Sequence, residues 1–170
     1  MGDDEKLSYK ILTCTWLFIL ISWLSLLFHE TGHYLAARII GVPSAQIDWV
    51  WIFYIVPATV KIQNFNLTTT QEFLFYLSGG FTAGIIFALL TIIFWIVYRG
   101  KSAEIYWWIG TFAFTYSIAS FFACYQETVN HANYLNFKYL PIEASIIFGL
   151  PIIMGIYRYR SWVKSFINKF

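Results

Sequence analysis

The hydrophobic positions of this chain fall in long blocks, not in the narrow stripes of a soluble helical domain. Residues 11–28 carry no charge, and similar blocks follow within 68–98, 103–127 and 141–157. About 20 consecutive apolar residues are enough to carry a helix through the hydrocarbon core of a bilayer. The pattern predicts an all-α membrane protein of about four transmembrane helices, at approximately 7–40, 68–98, 103–127 and 141–157. Between the first two lies a short β-hairpin or extended element, at approximately 45–63. There a β-branched and aromatic run gives way to strict alternation at Thr59, Val60, Lys61, Ile62 and Gln63. That run is too short to span, and its period is two. Open strand edges cannot face lipid, so this element needs cover from protein, interfacial water or a bound peptide.

Local punctuation supports these boundaries. Gly41 followed by Pro43 is a helix stop, because glycine permits a left-handed cap and proline cannot continue the ladder. Thr68 with Gln71 and Thr69 with Glu72 form two overlapping capping boxes for the second span. Residues 78–84 read Ser-Gly-Gly-Phe-Thr-Ala-Gly, and such small residues let helix backbones approach closely. The third span is expected to break at 126–133, where the polar residues begin. Pro141 suits the first turn of the fourth span and Pro151 predicts a kink within it. The tail, 158–170, mixes basic and aromatic residues as a short interfacial helix does.

Composition strengthens this reading. The chain of 170 residues is 59% hydrophobic and only 12% charged, which marks an integral membrane protein. We expect one integral membrane domain over 1–170, with no room left for a separate soluble domain. A net charge of +2, with basic residues flanking apolar blocks as anchors, gives no support to nucleic-acid binding. Lys6, Lys10, Arg99, Lys101, Arg158, Arg160, Lys164 and Lys169 fall on one side of the predicted multi-pass topology, against Arg38, Lys61 and Lys138 on the other. Eight against three puts both termini in the cytoplasm. Cys14 and Cys124 sit near opposite ends of two spans expected to run parallel, which keeps them too far apart to bond.

The chemistry sits where the first apolar run ends, at His29-Glu30-Thr31-Gly32-His33. Two histidines four residues apart lie on one helix face, where both imidazoles can reach a single Zn2+, and the glutamate beside the first can address a water at the metal. His29 and His33 are therefore candidate zinc ligands and Glu30 the candidate general base. A catalytic zinc takes three protein ligands and keeps a fourth position open. His131 is the first choice for the third ligand, being the only other histidine, at a matching depth. Glu127 is the second choice and Asp48 the weakest. Asn130 and Asn133 are candidates for substrate or oxyanion contacts, with helix-end and turn chemistry as the competing account. Gly32, inside the motif, is accounted for by close packing against another span. Ionisable groups at membrane depth are costly, and their convergence in one leaflet is itself a sign of function.

On these residues the chain resembles the site-2 protease family of intramembrane zinc metalloproteases. The resemblance rests on His29-Glu30-Thr31-Gly32-His33, on the hairpin-like element after that helix, and on the glycine motif at Ser78-Gly79-Gly80. It implies peptide-bond hydrolysis in or near membrane-spanning segments of a protein or peptide substrate, with the substrate unwound and held as an added strand on the hairpin edge. The family presents an Asp-Gly pair on its third core helix as third zinc ligand, and this chain has none there. The resemblance also implies a site opening towards the cytosol, whereas the basic-residue count puts it at the outer side. The competing expectation is a non-catalytic membrane zinc-binding protein, or degenerate homologue, that binds segments without cutting them. A metal transporter ranks below both, because the inner halves of the spans lack ionisable residues.

Overall fold

The computed structural model describes residues 3–50, 56–62, 66–97, 104–130 and 140–160. Among these the protein is mainly helical, with one small antiparallel sheet, as the hydrophobic pattern predicts. Helix α1 (Asp3–Ile39) is followed by strands β1 (Gln46–Val50) and β2 (Val56–Lys61), then α2 (Thr69–Ile92), which continues as a π-helical stretch (Ile93–Val97). Helix α3 (Glu104–Asn130) comes next, and residues 140–158 form α4 (Leu140–Ala144), a second π-helical stretch (Ser145–Gly149) and α5 (Leu150–Arg158). That last π-stretch lies one turn ahead of Pro151, whose missing N–H and bulky ring disturb the ladder there.

Among the described residues, three helices are long and apolar enough to cross a membrane: Ser8–Ile39, Thr69–Ile96 and Glu104–Val129. Helix α3 is the most enclosed of the three and α1 the most exposed. The tail expected at 158–170 is described only as far as residue 160.

The helix ends follow local chemistry. Gly41 adopts φ 88°. Its N–H donates to the Arg38 carbonyl at 3.2 Å while that of Val42 donates to Ala37 at 2.9 Å. These two bonds close α1 in a left-handed cap. Val42, fully buried, joins Ala37 and Ala45 in a small core that Tyr34, Val60, Leu67 and Phe75 complete. At the start of α2, Thr68 Oγ1 accepts from the Gln71 N–H and the Gln71 side chain accepts from the Thr68 N–H at 2.9 Å, so the first of the two capping boxes is the one used. Gln71 Nε2 also donates to the Ile40 carbonyl at 3.2 Å, tying the end of α1 to the start of α2.

Strands β1 and β2 pair with Gln46 opposite Lys61, Ile47 opposite Val60 and Asp48 opposite Thr59. The register then shifts, putting Trp49 opposite Pro57. A bulge is where a sheet tolerates a proline that has no N–H to offer.

Helices α1 and α3 run parallel, held by a ladder of polar contacts along their length. Lys10 pairs with Glu104 at 2.9 Å, the Ser22 and Tyr116 hydroxyls share a hydrogen bond, and His29 Nε2 lies 3.1 Å from Glu127 Oε1. Between these rungs the core is aromatic: Phe18 meets Phe112 edge-on at 5.6 Å, and Phe28 meets Phe87 at 5.9 Å. Cys14 and Cys124 are both free thiols. With α1 and α3 parallel, about fourteen residues of helix, or roughly 20 Å, separate them.

One difference from the sequence reading, and one expectation it shares with the structure, bear on the site. Helix α3 does not break at residue 126 but continues through Asn130. Gln126 and Glu127 are buried inside the bundle, so their polarity marks an inward-facing helix surface and not a loop. The small-residue stretch does bring backbones together: a Cβ at Gly80 would overlap the backbone of Ser120 and Cys124, and one at Gly32 would overlap the Ser78 carbonyl and the Thr82 side chain.

Candidate metal centre

The last turns of α1 carry His29, Glu30 and His33, all buried, at 3%, 7% and 6% exposure. Four-residue spacing puts the two imidazoles on one face. Their rings meet edge-on with centroids 4.7 Å apart, and the Nε2 atoms are 3.0 Å from one another. Glu127, on the facing surface of α3, completes the group: Oε1 lies 3.1 Å from His29 Nε2 and Oε2 lies 3.4 Å from His33 Nε2. Among the described residues, His29, His33 and Glu127 are the one set of three with metal-ligand atoms gathered within 4.8 Å.

The arrangement fits a tetrahedral metal. Bonds of about 2.0–2.1 Å place neighbouring donors of a tetrahedron roughly 3.3–3.4 Å apart. The His29 Nε2–His33 Nε2 and His29 Nε2–Glu127 Oε1 separations, 3.0 and 3.1 Å, match that within a few tenths of an ångström, and with one atom taken from each residue all three donors lie within 4.8 Å of one another. Two nitrogens and one carboxylate oxygen are, moreover, a donor set that catalytic zinc sites use while keeping a fourth position open. Glu127 Oε2 is buried without a hydrogen bond, a costly state for a carboxylate oxygen and one that coordination would relieve.

Surrounding groups orient the donors. His33 Nδ1 donates to the Phe75 carbonyl at 2.7 Å. A carbonyl can only accept, so this bond assigns the proton to Nδ1 and leaves the Nε2 lone pair facing the cluster. The Phe75 ring packs against the same imidazole at 4.8 Å. Gly79 also lies against this imidazole, and a Cβ there would overlap the His33 ring itself. Glu30 lies within reach of the Val60 backbone N–H on β2, so the hairpin covers the carboxylate that would serve as base.

The sequence candidates therefore divide. His29, His33 and the second-named Glu127 are brought together, with Glu30 beside them. His131 and Asn133 lie outside the described residues, Asn130 is the last residue of α3, and Asp48 lies on β1 opposite Thr59. The sequence reading missed the roles of Phe75 and Gly79 around His33. The available signal was a Gly-Gly pair on the second span at the depth of the histidines.

Comparison with protein-family models, curated proteins and solved structures finds no match to this chain.

Proposed function

We propose that this protein is an intramembrane zinc metalloendopeptidase that hydrolyses peptide bonds in or near the membrane-spanning segments of its substrates. The observation that carries this reading is Glu30, buried directly beside a closed His29, His33 and Glu127 donor set. A site that served only to hold an ion would have no use for a second buried carboxylate at that place.

His29, His33 and Glu127 would hold the ion, with the Phe75 carbonyl fixing the tautomer of His33. When bound, zinc supplies Lewis acidity and water that ionises near neutral pH. Glu30 takes the proton of the attacking water and returns it to the departing amine. The two-stranded sheet offers a backbone edge on which an extended substrate adds as a strand, exposing a carbonyl that a helical segment would shield in its own ladder. With both termini on the cytoplasmic side, as the basic residues favour, the site faces the outer half of the bilayer.

The alternative is a non-catalytic membrane zinc-binding protein, and one observation favours it: His29 Nε2 already makes short contacts with both Glu127 Oε1 and His33 Nε2. Purified protein reconstituted with single-span peptides separates the readings. The peptidase holds about one zinc per chain, and Glu30→Gln keeps the metal while cleavage falls by about 10²–10⁴-fold. Cleavage by Glu30→Gln at the wild-type rate rules out this mechanism. Stoichiometric zinc with no cleavage of any peptide favours the binding protein.

A further inference from the structure

Beneath the metal centre lies a compartment that the peptidase chemistry does not use. A cavity of about 200 Å³ opens between α1, α3 and the helix beginning at α4. Ala119, Ala123 and Ile147 give it apolar walls, Ser25 and Ser120 contribute hydroxyls, and Glu143 contributes a carboxylate. Its lower lining includes Ser22 and Tyr116, whose hydroxyls bond to each other above the Phe18 and Phe112 rings.

Glu143 is the residue that needs explaining. Two other carboxylates of the bundle have side-chain partners: Glu104 has Lys10 and Tyr159, and Glu127 has the two histidines. Glu143 is half-buried and has no ion pair or hydrogen bond among the described residues, and the charged groups near enough to act on it are Glu127 and His29. An ionisable side chain at membrane depth normally marks a ligand path or a partner still to come.

We propose that this cavity binds a primary ammonium group on a short alkyl chain, with Glu143 as its counter-charge. An ammonium has three N–H donors, and the cavity offers three acceptors in Ser25, Ser120 and Glu143. The alkyl stem lies against Ala119, Ala123 and Ile147. A bare metal ion would find too few oxygens there, and a planar guanidinium, with five donors, would leave some unpaired. The position also suits a peptide side chain. Ser25 and Ala123 lie one helical turn, roughly 6 Å, below His29 and Glu127, and the four-carbon stem of lysine reaches about that far from its Cα. Resting on the peptidase reading, the occupant is therefore a lysine side chain of the substrate beside the cleaved bond.

The test uses the full chain, zinc-loaded in detergent, titrated with n-butylammonium and with n-butanol of the same shape. Butylammonium is expected to bind at least tenfold more tightly than butanol, and Glu143→Gln and Ser25→Leu, one removing charge and the other filling space, each to erase that margin. Equal binding of the two probes, or an undiminished margin in Glu143→Gln, overturns the site. A second arm compares cleavage of peptides carrying lysine or norleucine, with at least a tenfold preference for lysine that Glu143→Gln removes. Cleavage without preference overturns the lysine assignment. Butylammonium binding as predicted, with no peptide cleaved, upholds the cavity and sinks the peptidase reading instead.

Discussion

Replacing Gly79 by alanine adds a single methyl group, yet it should disable the metal centre from the neighbouring helix. The new Cβ would sit 2.6 Å from His33 Cε1 and 2.7 Å from Cδ2, where ordinary carbon contacts need about 3.5 Å. The imidazole must therefore retreat by roughly 0.8 Å, several times the ~0.2 Å by which a metal-ligand bond tolerates displacement. Retreat disturbs the packing on the Phe75 ring at 4.8 Å and costs the hydrogen bond to the Phe75 carbonyl. Moving the helices apart instead would give up the close packing of Gly32 against Ser78 and Thr82. Disturbing a group that orients a ligand typically weakens binding 10–100-fold, and here the ligand itself is pushed. We expect zinc affinity to fall by about 100-fold, equivalent to roughly 2.8 kcal/mol. Competition against a chelator of known affinity measures this, with circular dichroism confirming that the helices persist. Gly149→Ala serves as control, since nothing lies within 4 Å of its added Cβ. A helical Gly79→Ala protein that binds zinc as the wild type does would refute the placement of His33 in the site.

Other substitutions examine separate parts of the structure. Glu127→Ala should lower zinc affinity by about 100-fold or more, as loss of a primary ligand does, while His131→Ala should change it little; the reverse ranking in metal-content assays would return the third position to His131. Thr68→Ala removes the N-cap of α2 and should destabilise the protein by about 1 kcal/mol, read as a lowered unfolding midpoint with zinc stoichiometry unchanged. Tyr116→Phe leaves the Ser22 hydroxyl without its cross-helix partner and should cost about 1 kcal/mol; no loss in a chemical or thermal melt would show that this rung of the α1–α3 ladder contributes nothing.

Much of the architecture follows from the sequence alone, because the rules involved are local. An uncharged block long enough to cross a bilayer must satisfy its own backbone as a helix, which is why α1, α2 and α3 are legible without coordinates. The left-handed cap at Gly41 and the Thr68–Gln71 capping box depend on residues within a few positions of one another, and the hairpin after α1 on residues no more than fifteen apart. So does the shared face of His29 and His33. The third donor was not legible in the same way. Residues 127 and 131 are four apart and would share a helix face, so choosing between them depends on how far α3 persists and how it registers against α1. In a soluble helix the apolar stripe would reveal the inward face, but here the lipid-facing surface is apolar too, and the hydrophobic periodicity does not separate the two. Only packing, through the Lys10–Glu104 and Ser22–Tyr116 rungs and the close approach at Gly80, brings Glu127 level with the histidines. The same long-range register set Gly79 against His33 and gave Glu143 a cavity to face. Backbone geometry and hydropathy thus decide the elements of this protein, while the meeting of its few polar side chains is decided by which apolar surfaces fit together.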